Sequence, residues 1–331
     1  MVQSDERTPL PPPAHIRDFR PDDYPALVDL SNAVDPDRPT TEAELRHDDE
    51  VFKGTNFLRH RYVATDIASQ DLIGEGTYFH MPWVFRPDRF AVWFAVHPDR
   101  QGGGIGRLLY LRVLGDLGRL GARQLRTQTQ ESEGEAVGFI IRRGFDVLMS
   151  TWESRLDLAA FRMKEFADRW DVPAGIEITT LAAEVAKDPE APRKAYELDC
   201  EVSADVPPHD PFTPPGFELY SRRLLEGPSA MPDAHFLAKD GDRFVGVSNL
   251  ERFDALPDIV NTGFTGVRRE YRGRGIAFAL KLRAIDYAVR HGVREIRTGN
   301  STLNAPMLGI NERLGFVKQP MWFNFGKDLT E

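Results

Sequence analysis

Val96-His97-Pro98-Asp99-Arg100-Gln101-Gly102-Gly103-Gly104-Ile105-Gly106 has a second version in the same chain, Val267-Arg268-Arg269-Glu270-Tyr271-Arg272-Gly273-Arg274-Gly275-Ile276-Ala277. The two stand 171 residues apart, and that offset runs without a gap from 96–145 against 267–316. Within it 16 of 50 pairs are identical, so the chain is a duplicated domain and not a solenoid of short repeats. In each copy β-forming residues lead into a short polar turn, the turn into glycines, and the glycines into a helical pattern. A glycine turn that opens a helix is suited to an anion: its backbone N–H groups point outward and the helix dipole favours negative charge.

Working outward, Phe90–Val96 is the strongest strand of the first half, rich in valine and aromatics. The helix after the turn is expected from about Gly104 to Leu120, with Leu109, Val113 and Leu117 on one face; Leu280, Ala284 and Ala288 take those places in the second half. Gly121 and Gly292 stand where C-terminal caps belong. Strands follow at Arg123–Thr129 and Arg294–Thr298, then a short helix ending in Gly144-Phe145 or Gly315-Phe316, then a last strand. Upstream, the first half reads as a strand at Ile16–Phe19, a helix from Asp22, a second helix capped by Thr40 or Thr41, and strands at Tyr62–Thr65 and Leu72–Phe79. The second half repeats this as Ile176–Leu181, a helix at Ala191–Cys200, and strands at Phe236–Ala238, Phe244–Glu251 and Val260–Val267.

The expected organisation is a disordered leader (1–13), a first domain (14–158), a linker (159–174) and a second domain (175–331). Leu158–Trp170 reads as a helical segment of mixed charge. Val206–Gly216 holds Pro207, Pro208, Pro211, Pro214 and Pro215, so it cannot be a helix interior. It is a candidate acceptor wall or a rigid surface loop. A net charge of −9 argues against a broad basic surface for nucleic acid. The single cysteine, Cys200, allows neither a disulfide framework nor a cysteine-type zinc site. There is no apolar signal core and no run of transmembrane length, so the expectation is a cytoplasmic protein without a membrane partner.

The turns reduce to Gln101-x-x-Gly104-x-Gly106 and Arg272-x-x-Gly275-x-Ala277. A P-loop would end in Gly-Lys-Ser/Thr, and a Rossmann turn would open the domain after its first strand; neither holds here. Strand, glycine turn, helix, strand and a helix closing on Gly-Phe together resemble the GNAT N-acetyltransferase superfamily, in both halves. The resemblance implies an α/β fold of two tandem domains, each a mostly antiparallel, splayed sheet flanked by helices. It implies acetyl-CoA as cosubstrate, no metal, and direct transfer to a primary amine of a small molecule or peptide in a ternary complex. It places the pyrophosphate on Gln101, Gly102, Gly103, Gly104, Ile105 and Gly106, and on Arg272, Gly273, Arg274, Gly275, Ile276 and Ala277. The pantetheine arm falls along the strands that end at Val96 and at Thr265 to Val267.

Asn304 is a candidate coenzyme contact or a helix cap; Glu133 holds its place in the first half. Many members of the superfamily protonate the leaving thiolate from a tyrosine four residues before the Gly of Gly-Phe. Ile140 and Asn311 stand there, and neither can act as that acid. Glu251 is the candidate base, with Asp254 and Asp258 beyond it and Glu75, Tyr78 and His80 in the comparable hairpin. Phe212, Phe217 and Tyr220 line an acceptor pocket or pack a core. The charge of Arg272 and Arg274, with Asn300, Asn304 and Asn311, favours the second half as the seat of reaction. The rival reading is a non-catalytic CoA-binding or scaffold protein.

Overall fold

A computed structural model describes residues 14–206 and 210–329; the expected leader and Pro207, Pro208 and His209 lie outside the described residues. The first half runs β1 (Ala14–Asp18), α1 (Tyr24–Val34), α2 (Glu42–Phe52), β2 (Arg59–Asp66), β3 (Leu72–Phe79), β4 (Arg89–Val96), α3 (Ile105–Arg119), β5 (Gln124–Gln130), α4 (Gly134–Ile141) and β6 (Asp146–Asp157). The second runs β7 (Ile176–Thr180), α5 (Leu181–Val185), α6 (Ala191–Ser203), α7 (Phe217–Tyr220), β8 (His235–Asp240), β9 (Arg243–Phe253), β10 (Leu256–Val267), α8 (Ile276–Arg290), β11 (Glu295–Ser301), α9 (Ala305–Arg313) and β12 (Val317–Asp328). Thr41 caps α2 through a reciprocal pair: its hydroxyl accepts from the Glu44 N–H at 3.2 Å, and the Glu44 carboxylate accepts from the Thr41 N–H at 3.0 Å.

The twelve strands among the described residues form one sheet, in the order β1-β2-β3-β4-β5-β12-β6-β11-β10-β9-β8-β7. The halves therefore exchange their last strands. β12 pairs with β5, β6 pairs with β11, and β6 and β12 pair antiparallel at the centre. The exchange carries core residues with it: Phe325 on β12 is fully buried in the first half's core, and Leu156 on β6 belongs to the second's. In each half one parallel pair is cut short. β4 meets β5 only through Arg89–Ala91 against Gln124–Arg126, and β10 meets β11 only through Ile259–Asn261 against Glu295–Arg297. Beyond those points the strands diverge, leaving Val92–Val96 and Thr262–Val267 with one unpaired edge each.

A reciprocal latch reinforces the exchange. Asp37, in the loop after α1, accepts from Arg297 on β11 at 3.2 Å and also pairs with Arg155 on β6. Asp210, in the proline-dense loop, takes a bidentate pair from Arg126 on β5 (2.8 and 2.9 Å) and another bond from Arg89 (2.9 Å). Arg126 and Arg297 are duplicates of one another at the 171-residue offset. The described part of the proline-dense loop docks on the first half: Phe212 stacks on Trp83, and the Thr213 N–H donates to the Trp83 carbonyl at 2.7 Å.

The helix expected over Leu158–Trp170 does not form. β6 runs to Asp157, and only a 3-10 turn, Met163–Arg169, follows. Tertiary packing overrides the local pattern: Phe166 packs against Phe278 and Trp170 covers Arg283, which pins the segment along α8.

Asp210 and its two arginines are all largely buried, so breaking that pair leaves two cations unmatched in a low-dielectric site. Asp210→Ala should lower the unfolding free energy by about 3 kcal/mol. Asp37 is 44% exposed, and Asp37→Ala should lower it by about 1 kcal/mol or less. Urea denaturation of the two variants checks the order.

Candidate functional site

Both glycine turns adopt one backbone. Gly104 and Gly275 cap α3 and α8 with φ of 87° and 82°, a left-handed conformation that glycine adopts without strain. A side chain built on either would meet nothing within 4 Å, so the space in front of the turn is open. The first-turn N–H groups of each helix have no intrahelical acceptor and face that space. The first residue of each pattern closes the turn back onto its strand: Gln101 Nε2 donates to the Val96 carbonyl at 3.1 Å, and Arg272 Nε to the Val267 carbonyl at 2.8 Å. The residues present thus fit a pyrophosphate in both halves, with an unpaired strand edge beside it for an amide-bearing arm.

The charges around the two turns differ. The first-half turn opens into a cleft of about 980 Å³ that Arg107, Arg142 and Arg143 line together with Tyr110, Phe139 and Glu133. In the second half Arg272 is drawn back to Asp205 at 2.5 Å, and Arg269 binds the same carboxylate. Hydrogen bonds from Arg269 and Arg272 hold the Asp205 carboxyl down at about 2. Arg274 bonds the Glu270 carbonyl at 2.9 Å and lies over Tyr271. The positive charge that favoured the second turn is thus largely engaged within the protein.

A second cavity, of about 500 Å³, lies between the halves. Asn249, Glu251, Gly263 and Phe264 form its sheet wall, Asp199 and Ser203 on α6 one side, and Glu44, His47 and Asp48 on the first half's α2 another. The Glu251 carboxylate lies directly over Gly263: a Cβ there would stand 2.1 Å from Oε1. Asn249 organises this wall. Its Oδ1 accepts from the Phe264 N–H at 2.7 Å, where β10 bulges between Thr262 and Thr265, and its Nδ2 donates to Glu251 at 3.3 Å. Burial pushes the Glu251 carboxyl up, against the opposing charge of Arg223 and the Asn249 bond. Burial also raises Asp199, to about 7, although the Tyr220 hydroxyl donates to its Oδ2 at 2.6 Å; the charge of Glu251 adds to the rise. Among the described residues Asp199 Oδ1 has no hydrogen-bond partner.

Asn304 caps α9 by accepting from the Met307 N–H at 3.4 Å. Asn311 is 2% exposed; its Nδ2 donates to Asn300 Oδ1 at 2.6 Å, and its own Oδ1 has no partner among the described residues. The other carboxylates considered as bases serve the fold. Glu75 is buried against Arg61 and Thr77, Asp254 accepts from Thr41, and Asp258 pairs with Arg294. His80 accepts from the Leu58 N–H at 2.9 Å and stacks on Phe90, while Tyr78 packs on Phe90 and His60. Phe217 packs on Tyr196. Sequence reasoning missed Asp199 and the α2 wall. Asp199 follows Leu198 and precedes Val202 on the buried face of α6, and an acid on an apolar helix face is a readable signal. The α2 wall depends on the strand exchange, which the sequence does not announce.

The profile of the Acetyltransferase (GNAT) family matches residues 24–145 and 192–316, and the chain belongs to that family as a tandem pair of its domains. A mycothiol acetyltransferase of Pseudarthrobacter chlorophenolicus is 26% identical over 254 residues, 73% of this chain and 72% of that protein. An N-alpha-acetyltransferase 30 of Schizosaccharomyces pombe is 29% identical over 104 residues, 30% of this chain and 68% of that one. Among solved structures, a tandem GNAT protein from the clavulanic acid biosynthesis pathway aligns with a TM-score of 0.74 at 19% identity, covering 95% of this chain and 98% of that one. A GCN5-related N-acetyltransferase from Sphaerobacter thermophilus gives 0.68 at 20% identity, with 96% of both chains covered. These two share the fold. Among the described residues no helix is long and apolar enough to cross a membrane.

Asp199 titrates near 7 when folded and near 4 when unfolded, so the native state holds an extra proton between those values. Its protonated form favours the fold below about pH 4, and that contribution is lost as pH rises through about 7. Asp199→Asn removes the dependence. The thermal midpoint of the variant relative to the wild type should therefore climb from pH 5 to pH 8; a constant difference would mean an ordinary carboxyl.

Proposed function

We propose that this protein is an N-acetyltransferase that moves an acetyl group from acetyl-CoA to a primary amine of a small molecule or peptide. The reaction takes place in the second half, in the cytoplasm, by direct attack in a ternary complex. The observation that carries this reading is Glu251: a carboxylate with a raised pKa, at the wall of a cavity, over the strand whose edge opens into the splay. An alkyl ammonium has a pKa of about 10 and must lose a proton before it can attack. Glu251 is placed to accept that proton, directly or through water, and a base with an elevated pKa does so most effectively near neutral pH.

Arg272 to Ala277 would hold the pyrophosphate with the N-terminus of α8, and the open edge from Thr265 to Val267 would align the pantetheine arm. The bound acetyl thioester supplies the electrophilic carbonyl. An N–H of that strand edge, near Val267, would stabilise the oxyanion. Asn304 supports this arrangement by fixing the start of α9, and Asn311 by tying α9 to β11 through Asn300. The names of the two relatives bracket the acceptor class: one is a mycothiol acetyltransferase, the other an N-alpha-acetyltransferase.

A second reading concerns the first half. Its cleft of about 980 Å³, lined by Arg107, Arg142 and Arg143 among other residues beside an open glycine turn, favours a second molecule of acetyl-CoA held there. Val96 and Gln101 to Gly106 are the residues that would hold it.

Calorimetric titration of acetyl-CoA, paired with free-thiol release in the presence of amines, tests both readings. Gly104→Glu should remove one binding event and leave turnover. Gly275→Glu should remove the other and abolish turnover, and Glu251→Gln should slow it by about 100-fold. Turnover that survives Gly275→Glu would move the chemistry to the first half. Binding without thiol release for any amine would support the non-catalytic binder instead.

A further inference from the structure

The buried face of α8 carries one ammonium. Lys281 is 3% exposed, between Leu280 and Leu282, and its Nζ lies 5.3 Å from the centre of the Phe316 ring. Among the described residues it has no ion-pair or hydrogen-bond partner. Among the charged groups on α8 and α9, Asp286 pairs with Arg290. Arg313 lies over Phe278, Arg283 over Trp170, and Glu312 pairs with Lys318.

The duplication tells where this amine points. At the same position of α3 stands Tyr110, which lines the first-half cleft, 5.7 Å from Phe94 on the open edge of β4 and 6.4 Å from Phe139 on α4. At the 171-residue offset the positions of Phe94 and Phe139 are held by Thr265 on the open edge of β10 and Ile310 on α9. Phe316, beside Lys281, donates its N–H to the Asn311 carbonyl at 3.0 Å. By that correspondence Lys281 takes the face of α8 that Tyr110 takes on α3, and Phe316 links it to Asn311, where the expected tyrosine acid is absent.

We propose that Lys281 is the general acid of the second half, giving a proton from its ammonium to the departing sulfur. The inference rests on the second-half reading above. In the balanced sequence the amine, its ammonium proton already passed through Glu251 to solvent, bonds through nitrogen to the thioester carbon and loses a second proton to Glu251. The C–S bond then breaks, and the sulfur leaves as a thiol with the proton from Lys281. Solvent afterwards returns one proton to Lys281 and removes one from Glu251, so the net transfer is from amine to thiol.

Energetics distinguish this role from simple packing. Burial alone lowers the Lys281 ammonium to about 8, near the range of about 8.5 in which a cysteine thiol titrates, which suits it to give a proton to a departing thiolate. The same burial works against the fold. Between about pH 8 and 10 the unfolded chain binds the proton that the native state has lost, so the stability of the wild type rises with pH across that window. A lysine that only filled space would be better replaced by methionine.

The test uses the full chain with acetyl-CoA and a productive amine, in wild type, Lys281→Met, Lys281→Arg and the Gly275→Glu control. Lys281→Met should raise the thermal midpoint at pH 7 and flatten its rise between pH 8 and 10. It should lower kcat by about 10- to 100-fold with the KM for amine unchanged, and abolish the fall in kcat above about pH 8. Lys281→Arg should retain part of the rate and carry the fall beyond pH 9.5, since arginine stays charged. If turnover is lost in Gly275→Glu yet Lys281→Met keeps the wild-type kcat and its alkaline limb, the role of Lys281 is overturned and the second-half reading stands. If turnover survives Gly275→Glu, both fall together.

Discussion

The exchange of β6 and β12 at the centre of the sheet is the interaction on which the rest of the molecule depends. A strand that completes its neighbour's sheet also completes its neighbour's core. Phe325 is fully buried among first-half residues although it lies near the end of the second half, and Leu156 makes the converse contribution. Burial of such side chains is the main favourable contribution to folding, and here it is shared across the duplication. The latches of Asp37 and Asp210 use the same logic with charge, each half lending an aspartate to the other's fifth strand.

This shared construction has a consequence for the site. Because the halves are locked in register, the α1–α2 region of the first half lies over β9 and β10 of the second. Glu44, His47 and Asp48 then line a cavity whose sheet wall is Glu251 and Asn249. In the proposed reaction one copy would contribute the reacting strand and the other part of the acceptor enclosure. A single copy lacks the α2 wall of that cavity.

Much of this was legible in the sequence because it is local. The glycine turns, the helices after them, the caps at Gly121 and Gly292 and the strands before them follow from backbone sterics and short-range pattern, and the 171-residue repeat doubles every signal. The splay follows from the family resemblance. What was not legible is non-local. The final strands read as strands, but no property of Val317–Asp328 says that its partner is β5 and not its own half. The segment after Leu158 carried helical periodicity, and the aromatics Phe161 and Phe166 spent it on packing against α8 instead. Charge was misleading for the same reason. Arg272 counted as a free cation in the sequence, but in the fold Asp205, 67 residues upstream, neutralises it.

Duplicated backbones also separate what a position must be from what it can become. At offset 171, Gln101 and Arg272 keep one duty, closing the turn on the strand carbonyl, and the extra charge of the arginine is matched by an aspartate. Tyr110 and Lys281 share a site but not a chemistry. The tyrosine hydroxyl accepts from Lys327 on the exchanged strand at 3.2 Å, while Leu156 stands at the corresponding level of the second half and leaves Lys281 alone. Desolvation then acts in opposite senses on the groups of the second half: it raises Glu251 and Asp199 and lowers Lys281. Acids and amines are thereby brought toward neutrality from both sides. That is the condition under which one group accepts and another donates a proton at the same pH. The first half has Ile140 and Tyr110 at these places and lacks this pairing, while Arg107, Arg142 and Arg143 are among the residues that line its cleft. The asymmetry of the molecule thus lies in which buried positions carry a titratable group, on a backbone that is otherwise the same twice.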